Sequence, residues 1–233
     1  MSTKTEDDKN LTLEPFHCEL NILSQSDGSA MLCEGKTSFI VSVNGPVDVK
    51  LQKLQIEKST VEIIYRPKFG VPSVDDRFLE MFLRNICEAA LHSNLYPRTA
   101  ITVVVQEMHD NGGKLACATN ACCLALINSG LSMRFLVAAV TCILDKKQQF
   151  SLISSSHQLQ QQFYDEYPMA TFTFVFENIN YNIVASHTTG TFTDEQYTEA
   201  VHRCKLASEK IFEFYRNIVC KYAKKIGKRM DVQ

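Results

Sequence analysis

Residues 106–131 read QEMHDNGGKLACATNACCLALINSGL, and the fold is decided there. The stretch opens on a polar turn, Asp110-Asn111-Gly112-Gly113-Lys114, and then runs from Leu115 to Ile127 without a charge. A surface helix carries one apolar stripe and one charged face, whereas here every face carries Ala, Cys, Leu or Ile. The run is too short and its side chains too small to span a membrane. The spacing therefore predicts a central helix buried on nearly all sides, with Gly130 as its C-cap. A glycine turn aiming backbone N–H groups at the start of such a helix is either an anion site or a plain tight turn. The residues leave both readings open.

The composition around this helix suits one α+β domain. The chain has 233 residues, 45% apolar and 21% charged, enough for a core of ordinary size. A net charge of -2 gives no global drive toward nucleic acid, so any such binding rests on local basic patches. Nine cysteines, an odd number with no C-x-x-C spacing and with Cys122-Cys123 inside the central helix, read as small core residues of a reducing compartment. Neither a metal nor a cofactor is expected. Residues 1–14 read as a polar, disordered tail, residues 15–226 as the folded domain and residues 227–233 as a basic tail. No signal-peptide pattern opens the sequence, and a cytosolic or nuclear protein is expected.

Upstream of the central helix the text is β. HCELNILS, SAMLCEG and TSFIVSVNGPV alternate between turns at Ser26-Asp27-Gly28 and Glu34-Gly35-Lys36, predicting an antiparallel meander. Asn44-Gly45-Pro46 is expected to end the third strand, because proline cannot continue the ladder. TVEIIYR at 60–66 is a further strand. Residues 76–92 have helical spacing, with Phe78, Phe82, Ile86 and Ala89/Ala90 on one face and Arg84 placed to pair with Glu88. Residues 99–106 are a β-branched strand leading into the Asp110 turn. Downstream, FLVAAVTCIL, QFSLI, ATFTFVFEN and YNIVASHT read as strands, and SSSHQLQQQ as a polar connection. Thr193 and Gln196 form a capping box that starts a last helix of about thirty residues.

This order and several phrases resemble the RNase PH family. The resemblance rests on DGSAMLCEGKTSFIVSVNGP, on FLEMFLRNICEAAL followed by RTAITVVVQ, and on the turn DNGGKLAC, which stands where the family carries a phosphate loop, D-G-G-T-R-T-A-S. It runs from about Phe16 to Ile218. YRPKFGVP and EFYRN make the chain similar to the ring subunits of the eukaryotic RNA exosome within that family. The resemblance implies an RNase PH-like (ribosomal protein S5 domain 2-like) single domain: a β-meander, a buried central helix and a long C-terminal helix. It also implies hetero-oligomers with other RNase PH-like subunits, partners carrying S1 or KH domains, single-stranded RNA, a separate catalytic nuclease, and a nuclear, nucleolar and cytoplasmic location. No membrane association is implied. An isolated chain could pair as a homodimer.

The departures from the family decide the chemistry. Active members hold inorganic phosphate with a threonine and an arginine of the loop, and those places fall on Gly113 and Lys114 after Asn111 and Gly112. A hydroxyl donor is gone, and a bidentate arginine has become a point-charge lysine. The family's two aspartates, used for metal binding and acid chemistry, fall on Ser151 and His157. Phosphorolysis needs a holder for the anionic attacker and a stabiliser for the leaving oxygen. Both are weakened, so a non-catalytic chain is expected; the alternative is residual phosphorolytic or hydrolytic nuclease activity. Arg66, Lys68, Arg77, Arg98 and Lys114 are the candidates for contacts to RNA phosphates, against the ordinary fate of solvated surface charge.

Overall fold

Three consecutive strands, β1 (Phe16–Leu20), β2 (Gly28–Glu34) and β3 (Thr37–Asp48), form the expected antiparallel meander. The structure is a computed structural model that describes Leu13 and residues 15–146, 150–152 and 168–230, with side chains to residue 224. β3 also pairs antiparallel with β5 (Thr99–His109), which in turn pairs parallel with β4 (Thr60–Arg66). The first sheet thus has the order β1-β2-β3-β5-β4. A parallel pair needs a crossover, and α1 (Val74–Ala90) supplies it. The second sheet orders β7 (Phe150–Leu152), β6 (Val137–Leu144), β8 (Ala170–Glu177) and β9 (Ile183–Gly190).

The central helix, α2 (Lys114–Ser129), lies between the sheets, packed on β2 and β3 and on β6. Every residue from Leu115 to Leu126 is buried, as the uncharged run predicts. Each fully buried leucine there contributes about 1.5–3 kcal/mol. The helix comes so close to β2 that a Cβ at Gly28 would sit 2.6 Å from the Ala125 carbonyl oxygen. At the far end Gly130 caps the helix in the left-handed region, φ 73°. β6 is buried at all eight residues, with α2 and the last helix, α3 (Asp194–Met230), both against it.

One polar side chain joins these layers. Asn120, wholly buried on α2, donates to the Ala139 carbonyl (3.0 Å) and accepts from the Ala139 N–H (2.8 Å) and the Tyr215 hydroxyl (3.0 Å). About two turns further along α3, the Tyr222 hydroxyl accepts from the Leu20 N–H (2.8 Å) and donates to the Leu20 carbonyl (3.2 Å).

The structure corrects several local expectations. β3 does not stop at Pro46: it runs to Asp48, and a register shift between Asn44 and Val47 leaves Gly45 and Pro46 outside the ladder, where the missing N–H costs nothing. β1 ends at Leu20, because Asn21 turns the chain with φ 61°. α1 begins at Val74, capped by Ser73 and Asp76, which bond each other's backbone N–H groups. Glu88 pairs with Lys58, not with Arg84. Phe78 leaves the core face of α1 and packs on His187 of β9, ring centroids 4.9 Å apart. The Thr193–Gln196 capping box is present, with bonds of 3.0 and 3.4 Å. The helix it starts is 37 residues long, longer than expected.

Candidate functional site

β5 delivers the chain to the Asp110 turn, and the turn is braced from the neighbouring meander. Thr37, at the start of β3, accepts the Asn111 N–H (3.0 Å) and donates to the Gly112 carbonyl (2.8 Å). Asp110 accepts the Gly112 N–H at 2.9 Å, the local bond that aspartate favours in turns. Gly113, the N-cap of α2, is left-handed at φ 68° and supplies no side chain to the helix end. The first intrahelical bond runs from the Cys117 N–H to the Gly113 carbonyl (3.1 Å), so the N–H groups of Lys114, Leu115 and Ala116 lie ahead of it. The backbone shape of an anion cradle is present.

Carboxylates act on two side chains near that cradle. The Tyr65 hydroxyl donates to the Glu107 carboxylate. Its pKa is raised by burial first, then by that bond and by the negative charge of Glu107, Asp76 and Asp110. Burial also pushes the Cys117 thiol up, and the Glu34 and Asp110 carboxylates add to it. Within the turn itself Asp110 and Lys114 stand as opposite charges.

The remaining candidates are dispersed. Arg66 and Arg77 line one groove of about 910 Å³ along β4 and α1. Arg77 is engaged there by Glu80 at 3.2 Å. Lys68 lies over the exposed Phe69 ring, 5.2 Å from its centroid. Arg98 occupies a left-handed turn just before β5. It stands at the opposite end of the sheet, because Arg66 pairs with Gln106 while Thr60 pairs with Ala100, six residues or about 20 Å earlier. Ser151 pairs with Ile143 across β7 and β6, and its buried hydroxyl has no hydrogen-bond partner among the described residues. His157 lies outside the described residues. Among the described residues no group of three His, Cys, Asp or Glu could hold a metal ion. No helix among them is long and apolar enough to cross a membrane.

Sequence reasoning missed the Tyr65–Glu107 contact beside the turn, and Lys53, Glu80 and Arg84 in the groove. That contact is unreadable until the parallel register sets Tyr65 beside Val105, two residues from Glu107 on β5. The Ser73-x-x-Asp76 signature was legible as a cap, though not as a charge acting on Tyr65.

Comparison with known proteins agrees with this frame. The profile of the 3' exoribonuclease family, domain 1 (RNase PH), matches residues 12–132. An Arabidopsis thaliana protein named "Exosome complex exonuclease RRP46 homolog" is 27% identical over 228 residues, covering 92% of this chain and 95% of its own. The "Exosome complex component rrp46" of Schizosaccharomyces pombe is 36% identical over 124 residues, 53% of this chain and 55% of its own. The crystal structure of rice (Oryza sativa) Rrp46 superposes with a TM-score of 0.80 at 28% identity, covering 89% of this chain and 95% of the other. With that profile spanning just over half of its length and the same frame of sheets and helices, this chain belongs to the RNase PH family.

Proposed function

We propose that the chain is a non-catalytic RNase PH-like subunit of an RNA exosome core ring, keeping the family's shape and not its phosphorolytic chemistry. The observation that carries this reading is the Asp110 turn itself, where Gly113 caps α2 without supplying a side chain to the helix end. The backbone cradle survives, but Asp110 stands in the turn and Glu107 on the strand leading into it, and a buried hydroxyl stands at Ser151 where active members hold a carboxylate. Relatives named as exosome components support the assembly, and so does the surface. Phe69, Val71 and Val74 are 81%, 89% and 85% exposed on and beside one loop, an apolar cluster of the kind that marks interaction surfaces. Neighbouring RNase PH-like subunits are the proposed cover for that loop, with S1 or KH cap subunits, single-stranded RNA and a separate nuclease completing the assembly. The location that goes with this role is nuclear and nucleolar, with a cytoplasmic share. RNA would be met through phosphate contacts from Lys68 and Lys114 as part of a longer path.

The free N–H groups at the start of α2 favour one second reading, residual phosphorolysis by an isolated homodimer. Purified protein is incubated with single-stranded RNA, with and without inorganic phosphate and magnesium, and binding is titrated at two salt concentrations. RNA left whole, bound in a salt-sensitive way, is the expected result. Phosphate-dependent shortening by the parent chain would overturn the non-catalytic reading, and a Ser151→Asp, His157→Asp variant that gains nothing removes the main support of the second reading.

A further inference from the structure

Among the described residues the outer edge of β4 has no neighbouring strand, since β4 closes the sheet order. In a strand, alternate residues direct their N–H and C=O groups to opposite sides. The Tyr65 N–H donates to Glu80 Oε1 at 3.0 Å and so points away from β5. By the same alternation the N–H groups of Ile63 and Val61 face that free edge. Glu80 thus supplies an acceptor where an incoming strand would place a carbonyl, and two further positions of the edge have none of their own.

The groove beside this edge has a readable charge. Lys53 is balanced by Glu62 at 2.8 Å and Arg77 by Glu80 at 3.2 Å. Arg66 and Arg84 also line it, both exposed and without an ion pair among the described residues. Between them lie Ile64 and Met81, 37% and 49% exposed. The groove combines backbone donors and acceptors in strand register, an apolar strip and two unbalanced positive charges.

We infer that the β4–α1 groove docks an extended acidic peptide segment of a partner protein, which adds to β4 as a sixth strand. A peptide matches every feature: its carbonyls and N–H groups pair with the edge, alternate aliphatic side chains cover Ile64 and Met81, and its carboxylates meet Arg66 and Arg84. A nucleic acid would use the arginines and leave the edge carbonyls unpaired. The inference goes beyond the exosome reading and does not depend on it, because neither the Asp110 turn nor the Phe69 loop takes part.

The probe is a fluorescein-labelled seven-residue peptide alternating aspartate and valine, with a lysine–valine peptide as control. Three readings are taken on the full chain: fluorescence anisotropy, amide hydrogen exchange at Val61 and Ile63, and anisotropy with labelled oligo(U). Saturable binding of the acidic peptide is expected, at least tenfold weaker for the lysine peptide and for Arg66→Glu with Arg84→Glu. Exchange at Val61 and Ile63 should slow at least tenfold on saturation. If the double variant does not fold, Arg84→Ala, at an exposed helix position, replaces it, with a severalfold loss expected. Absence of binding overturns the proposal, as does binding that leaves those two amides exchanging as before. Oligo(U) binding that needs the two arginines, without protection of the edge amides, would make the groove a nucleic-acid site and equally overturn it.

Discussion

Replacing Asn120 by alanine tests whether the central helix, the second sheet and the last helix are held together by one buried amide. The substitution removes three hydrogen bonds of 2.8–3.0 Å and strands the Ala139 N–H, the Ala139 carbonyl and the Tyr215 hydroxyl in a site with no exposure. Each bond contributes about 1 kcal/mol net, and a stranded buried group costs about 1–3 kcal/mol. Allowing for some relaxation, Asn120→Ala is expected to cost about 3–5 kcal/mol. Tyr215→Phe removes one donor and leaves the Asn120–Ala139 pair intact, costing about 1 kcal/mol. In the Asn120→Ala background the tyrosine hydroxyl is stranded, so removing it recovers about 1–3 kcal/mol and the cycle shows about 2–4 kcal/mol of coupling. Urea unfolding followed by far-UV circular dichroism gives these values, since the chain has no tryptophan to report by fluorescence. A loss below about 1 kcal/mol for Asn120→Ala at an unchanged urea slope, or additive single changes, would refute this account of the junction.

Three further outcomes are expected. Gly28→Ala should lower stability by about 2–3 kcal/mol, because its Cβ would meet the Ala125 oxygen at 2.6 Å; a urea midpoint equal to that of the parent chain would contradict the close approach. Thr37→Val should cost about 2 kcal/mol and speed amide exchange at Asn111, whose N–H loses its acceptor; unchanged exchange there would show that the turn does not need Thr37. Burial pushes the Cys18 and Cys123 thiols up to about 12 from 9.0, so the folded state keeps its protons where the unfolded chain loses them. Their stabilisation is complete below pH 9 and is lost toward pH 12, at about 1.4 kcal/mol per pH unit for each thiol. Urea midpoints measured under reducing conditions between pH 8 and 10.5 should therefore fall, and a flat profile would contradict the buried thiols.

What could be read in advance was what lies within one stretch of chain. The central helix was visible because a run without charge has only one place to go, and the Thr193–Gln196 cap because both halves of its signature stand three residues apart. Pro46 misled because the rule that proline ends a ladder holds for paired positions, and a register shift removes the pairing. Arg84 and Glu88 have the right spacing on α1, but Lys58 arrives from another segment and takes the carboxylate. The carboxylates that act on Tyr65 and Cys117 were hidden for the same reason. Glu34, Asp76, Glu107 and Asp110 come from β2, α1, β5 and the turn, and only the sheet register and the crossover bring them toward those two side chains. The groove along β4 was equally unreadable, since an edge is a property of strand order and not of the strand.

Tyr222 has a consequence for time as well as for space. Its hydroxyl meets both backbone groups of Leu20 across 202 residues of chain. A ribosome adding about 5–20 residues per second takes roughly 10–40 s to make that much polypeptide. Through that interval the end of the first strand exists without the helix that will seal it, and β1 is an edge strand of its sheet. The nascent chain therefore carries an open strand edge from early in synthesis until almost the last of the helix has emerged, the period in which protection by a chaperone matters most.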